Sequence, residues 1–132
     1  MIITLLSVLL LIPPLCSLVL GFLCWRCAPE SPTWALGYRS RRARASDESW
    51  RFAQNLAGQI WFWLGLSMLI LSVVLCMQMD PETMESNVRI AFYGAVSETV
   101  LIFLSVLPTE IVLRQKFSRM GRPLAPKERK TK

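Results

Sequence analysis

Glu98 is the only acidic or basic side chain between positions 90 and 109, in a run made otherwise of apolar and small residues. An ionisable group at mid-membrane is a site hypothesis by default: it could hold a cationic peptide segment or carry a proton. The plainer reading is a protonated carboxylic acid hydrogen-bonded to a neighbouring helix. Arg39 and Glu110 form a second candidate, an ion pair tying a loop to the third helix. Its alternative has Arg39 snorkelling to lipid phosphate while Glu110 pairs locally with Arg114. Cys24 and Cys27 flank Trp25-Arg26 at a spacing that suits redox or zinc chemistry. The chain has no His, however, and Cys16 and Cys76 fall within apolar segments, so a closed metal site within one chain is not expected. Asp80, Glu82 and Glu85 make an acidic connection that could attract a cationic peptide, or simply a solvated hairpin in which Asp80 caps and Pro81 starts the next helix. No nucleophile with a base, phosphate-cradling glycine loop or carboxylate pair suggests an enzyme, and no cofactor is implied.

These residues sit in a chain of 132 residues that is 53% hydrophobic, with a mean hydropathy of +0.41. Its apolar residues fall in long blocks, the pattern of a membrane protein. A bilayer core of about 30 Å needs roughly 20 helical residues, and three segments suffice: 2–25, 60–79 and 90–108. Glu98 opposes insertion of the third by roughly 2.5–3.5 kcal/mol. The surrounding Ile, Leu, Val and Phe residues each return about 0.3–0.6 kcal/mol, which offsets it. The first segment lacks a basic leader region and is interrupted by Pro13 and Pro14, so a retained, kinked span is expected in place of a cleaved signal peptide.

Basic residues set the expected topology. None precedes the first span; Arg26, Arg39, Arg41, Arg42, Arg44 and Arg51 follow it, Arg89 alone lies in the second connection, and eight lie beyond Glu110. The positive-inside rule then places the N-terminus outside and the C-terminus in the cytoplasm. Trp25, Trp34, Trp50, Trp61 and Trp63 cluster at that same side, where indole rings favour the headgroup layer. The net charge of +6 is thereby explained by membrane placement, without nucleic acid.

Within the first loop, two prolines in 28–34 end the first helix, and Ser46 is a favourable N-cap followed by Asp47 and Glu48. Trp50, Ala53, Ala57 and Ile60 then share one face, with Arg51, Asn55 and Gln59 on another. This predicts an amphipathic helix lying along the inner leaflet and bending near Gly58 into the second span, since one straight helix over 47–79 would be about 50 Å long. Gly58, Gly65 and Ser72 recur along that span, while Ala91, Gly94, Ala95, Glu98, Ser105 and Thr109 form a small and polar stripe on the third. Such stripes allow close helix packing, in one bundle or a homo-oligomer, or line a polar path. Pro108 predicts a break near Leu107 and a short helix over 108–120, ended by Gly121, with Glu110 and Arg114 one turn apart. The expected fold is therefore all-α: a three-span module over 1–122, an interfacial helix in its loop at 26–59, and a disordered basic tail at 123–132.

Two segments carry a resemblance. GYRSRRARASDESWRFAQNLAG is similar to the loop of the SdpI family of small bacterial membrane proteins, with Gly37, Tyr38, Arg39, Ser40, Ser46, Asp47, Trp50, Ala53, Gln54 and Gly58 at the pattern positions. The family's PTE segment, followed by Arg, Phe and Gly, resembles Pro108, Thr109, Glu110, Arg114, Phe117 and Gly121. Ser40 stands where Thr is usual, Gln54 where Asn or His is common, and Arg41 to Arg44 is more basic than typical. The resemblance implies a bacterial cytoplasmic-membrane protein conferring immunity to a membrane-active peptide toxin, in a short form like half of the longer members. Some members are linked to signalling, so a scaffold recruiting a cytoplasmic regulator through the Arg-rich loop stands as an alternative. A minimal oligomeric transporter is a third.

Overall fold

A computed structural model describes residues 1–28, 30–32, 37–80 and 82–124. Helices α1 (Ile2–Arg26), α2 (Asp47–Met77), α3 (Met84–Leu104) and α4 (Val106–Lys116) follow in order, with a 3-10 turn, Ala43–Ala45, before α2. Among the described residues no strand forms beyond an isolated bridge between Phe117 and Pro123. Three helical stretches among the described residues are long and apolar enough to cross a bilayer. The chain is an all-α, multi-pass membrane protein.

Ser46 starts α2 as expected, and more completely than expected. Its hydroxyl accepts from the Ser49 amide at 3.1 Å while the Ser49 hydroxyl accepts from the Ser46 amide at 3.1 Å, so two orphan donors are satisfied reciprocally. From there the helix runs unbroken to Met77. The separate interfacial helix bending at Gly58 is therefore not present. A Cβ added at Gly58 would lie 2.4 Å from the Trp25 backbone nitrogen, so that glycine serves close approach to the end of α1 and not a bend.

This contact also resolves the length of α2. Residues 58–77 run beside α1 and measure ~30 Å, the thickness of a bilayer core, while 47–57 project ~17 Å past the end of α1. The projecting part is not laid on lipid: Trp50, Ala53, Gln54 and Ala57 are buried against protein.

Within the bundle α1 and α2 pack through a seam of small residues. On α1, Leu10, Pro14, Ser17, Gly21 and Cys24 are buried at alternating spacings of four and three, the spacing that keeps one helix face on its partner. Opposite them lie Gly58 and Gly65, and Met68 and Ser72 are buried further along α2. A Cβ at Gly21 would fall 2.3 Å from the Phe62 nitrogen, and one at Gly65 would fall 2.6 Å from the Leu18 nitrogen. Backbone meets backbone here, as small residues permit in membranes. The Ser17 hydroxyl adds a bond to the Trp61 carbonyl at 3.0 Å.

α3 is more lightly held, with only Asn87, Ala91 and Glu98 fully buried along it. It begins at Met84 after Thr83 and not at Pro81; the Pro81 position lies outside the described residues. Asp80 instead closes the connection, its backbone N–H and C=O both bonded to the Asn87 side-chain amide at 3.1 and 2.6 Å. The break after α3 falls at Ser105, three residues before Pro108 and earlier than Leu107. Proline at 108 has no N–H for the Leu104 carbonyl and crowds it sterically, which places the interruption at Leu104–Ser105. α4 then ends at Lys116, not Met120, and Gly121 takes φ 73° in the following turn instead of capping the helix. The tail beyond Leu124 and the interfacial Trp34 lie outside the described residues.

Candidate functional site

The projecting part of α2, the segment before it and α4 form a compact head. Its core is Tyr38, Ala43, Ala53, Ala57, Leu113 and Phe117, flanked by Phe52, Trp61 and Val106. Aromatic contacts knit it together: Tyr38 meets Trp61 edge-on at 6.3 Å between ring centroids, and Phe52 meets Phe117 at 5.5 Å.

Gln54 is the centre of the loop's attachment. Its side-chain oxygen accepts from the Tyr38 amide at 2.8 Å and its nitrogen donates to the Tyr38 carbonyl at 2.6 Å, so one buried side chain satisfies both backbone groups of Tyr38 as a strand partner would. Gly37 makes room for this. Its φ is +115°, and a Cβ there would stand 2.1 Å from the Gln54 oxygen. The amide at position 54, where the resembling family commonly has Asn or His, thus has a direct structural role.

Glu110 joins loop to helix, but not through Arg39. Arg39 is exposed and makes no contact with Glu110. The Tyr38 hydroxyl donates to Glu110 Oε2 at 3.2 Å, and Arg42 Nε lies 3.9 Å from Oε1, while Arg114 pairs with the same oxygen at 3.4 Å. Arg42 also donates from Nη1 to the Phe117 carbonyl at 2.8 Å, so it bridges the loop to the middle and to the C-terminal end of α4. Burial, reinforced by the Glu110 carboxylate and its hydrogen bond, pushes the Tyr38 phenol up to about 12. The expected loop-to-helix tie exists with different partners, and the local Glu110–Arg114 pair exists beside it.

A second fastening lies at the helix N-terminus. The Ser46 hydroxyl donates to the Gly121 carbonyl at 2.7 Å, and the Ser49 hydroxyl lies within bonding distance of the Arg42 and Ala43 carbonyls at 3.0 and 3.1 Å. Ser40 braces the 3-10 turn by accepting from the Ala43 amide. Asp47 stays exposed in the first turn, and Pro108 is exposed beside a fully buried Thr109. Trp50 is also fully buried. Tyr38, Ser46, Glu110, Phe117 and Gly121, drawn from both motif segments, therefore meet in the head, with Trp50 buried beside them and Gly58 set against the end of α1.

Glu98 is separate, deep in the bundle and 2% exposed. Ser72 on α2 donates its hydroxyl to Glu98 Oε1 and also reaches the Met68 carbonyl at 2.7 Å. Glu98 Oε2 has no hydrogen-bond partner among the described residues. The small residue Ser72 thus ends the α2 seam with a polar link to α3. At the boundary of bundle and head, the Trp61 indole N–H donates to Ser105 Oγ at 2.9 Å, fixing the bend between α3 and α4. Among the described residues no cluster could hold a metal ion; Cys24 is buried, and Cys16 and Cys27 are exposed.

Sequence comparison adds one finding: the SdpI/YfhL protein family description matches residues 31–112, the head segment, α2, α3 and the first half of α4. No curated protein and no solved structure matches the chain.

Proposed function

We propose, on the premise that this chain belongs to the SdpI/YfhL protein family, that it is an immunity protein of the bacterial cytoplasmic membrane, protecting the cell from a membrane-active peptide toxin by binding it. The family match carries this reading, because it spans the loop, two of the three membrane-crossing stretches and the start of α4. Membership supports a membrane immunity-type role at the level of the family. Interception by direct binding is the finer step.

The geometry supports α3 as the binding element. Phe92, Tyr93, Val96, Val100 and Phe103 are exposed along it, so a peptide partly inserted in the bilayer could pack beside it without displacing α1 from α2. In the proposed orientation the 80–83 connection faces outside, where a secreted peptide arrives, and the arginine-rich head faces the cytoplasm. Binding, not catalysis, is the chemistry proposed.

The test is in-cell photo-crosslinking with the crosslinker at Glu82, Tyr93 or Arg44, each with an exposed side chain. Capture of a secreted peptide from Glu82 or Tyr93, with none from Arg44, is the expected result. Capture of a cytoplasmic protein from Arg44, with nothing at the other two, would replace interception by a regulatory scaffold.

A further inference from the structure

Arg41, Arg42 and Arg119 converge on one open cleft of about 500 Å³, lined also by Glu110 and Met120. The two arginine sources are far apart in sequence and are held together by the head. Arg41 and Arg42 precede the 3-10 turn braced by Ser40, and Arg119 sits in a turn closed by the Ser118 amide on the Arg122 carbonyl at 2.8 Å. The Ser46–Gly121 bond fastens one segment to the other.

The cleft is electrostatically incomplete. Its only carboxylate among the described residues, Glu110, is already shared by Arg42, Arg114 and Tyr38. Among the described residues the Arg41 and Arg119 side chains have neither ion pair nor hydrogen bond. Three guanidinium groups against one carboxylate among the described lining residues leave an excess of two positive charges. Arg42, held by Glu110 and the Phe117 carbonyl, gives the cleft one rigid wall, and the two unpartnered arginines supply forked donors suited to tetrahedral oxyanions.

We propose that this cleft is a binding site for a phosphate dianion, carried either by a monoester or by inorganic phosphate. A dianion matches the excess charge where a phosphodiester supplies half of it. Glu110 lies five residues beyond Ser105, no more than ~7.5 Å along a helix, and a headgroup layer is roughly 5–8 Å thick. The phosphate could thus belong to phosphatidic acid in the adjacent leaflet or to inorganic phosphate in solution; both present the same group.

The experiment uses the full chain in nanodiscs and phenylglyoxal labelling of arginine read by mass spectrometry. One arm adds inorganic phosphate to neutral phosphatidylcholine discs; the other incorporates phosphatidic acid, with phosphatidylglycerol at matched charge as control. Labelling of Arg41 and Arg119 should fall roughly tenfold in one or both arms, as expected for a charge-assisted bidentate contact, while exposed Arg51 and Arg89 change less than twofold. Protection only by phosphatidic acid assigns the lipid, and protection by free phosphate assigns the solute. In a nanodisc-bound R41Q/R119Q variant, the ligand retained in native mass spectra should fall to the phosphatidylglycerol level with the unfolding temperature unchanged. Equal protection of all four arginines, or equal protection by phosphatidylglycerol at matched charge, would mean diffuse attraction and overturn the site.

Discussion

The head and the bundle are held by opposite means. In the bundle, α1 and α2 approach because Gly21, Gly58 and Gly65 have no side chain to separate them. In the head, position is fixed by directional bonds: Gln54 on Tyr38, Arg42 on Glu110 and Phe117, and Ser46 on Gly121. The difference follows from solvent. In lipid, helices gain little by burying more apolar surface and associate through close packing. Beyond the bilayer, a projecting helix can be fastened by groups that water would otherwise satisfy, provided each finds a partner when buried.

The contrast predicts unequal sensitivity to substitution. Gly58→Leu should have the largest effect, about 3 kcal/mol or more, because its new atoms meet the backbone of Trp25 and Gly21, which cannot swing aside. Thermal unfolding in detergent should show the loss, and steady-state level should fall with it. Retention of wild-type stability would mean α1 and α2 are not this close.

In the head, Gln54→Leu keeps an apolar volume but leaves the Tyr38 amide and carbonyl without their partner, at about 2–3 kcal/mol. Gln54→Asn, one methylene shorter, should recover part of that. If leucine and asparagine are equivalent in a denaturant titration, bonding at Gln54 is not what anchors the loop.

Tyr38→Phe should cost about 1 kcal/mol by removing the bond to Glu110. It should also change the alkaline limb of stability. The folded phenol is pushed up to about 12 from its ordinary value of 10.0, so the folded state favours the protonated form. Its contribution is complete below pH 10 and declines as pH rises toward the folded value. A stability profile across that window should be flatter in the phenylalanine variant; identical profiles would contradict the buried phenol–carboxylate contact.

The smallest effect is expected at Glu98→Gln. A neutral amide can still accept from Ser72, so stability should shift by less than about 0.5 kcal/mol. Comparing Glu98→Gln with Glu98→Leu in a survival assay separates the two readings of this residue. If the glutamine variant protects cells fully, ionisation of Glu98 has no part in immunity.

Much of the fold was legible because membrane segments declare themselves through uninterrupted apolar runs, and Ser46 declared itself through capping chemistry. The single error of architecture, a separate interfacial helix, arose at 47–57. Trp50, Ala53 and Ala57 form an apolar stripe there, and a stripe alone does not distinguish a lipid surface from a protein partner. The partner was α4 with the loop, which is a long-range pairing that periodicity does not encode. The same limit explains Arg39. Arginine at 39, 41, 42 and 44 looks equivalent in sequence, and only the 3-10 turn decides that Arg42 faces Glu110. Gly21 was missed because a lone glycine in a leucine-rich span carries no period; its seven-residue offset from Pro14 becomes informative only against Gly65 and Gly58 on α2.

The claim that the projecting part of α2 and the turn after α4 form one head is open to a direct test. Replacing Phe117 by benzoylphenylalanine keeps an aromatic ring beside Phe52, and irradiation followed by peptide mapping reports what it touches in the membrane. The account predicts an intramolecular crosslink into residues 52–53 or 38–43. Crosslinks confined to lipid and to residues 110–124 would leave α2 uncovered there, and the head as described would not exist.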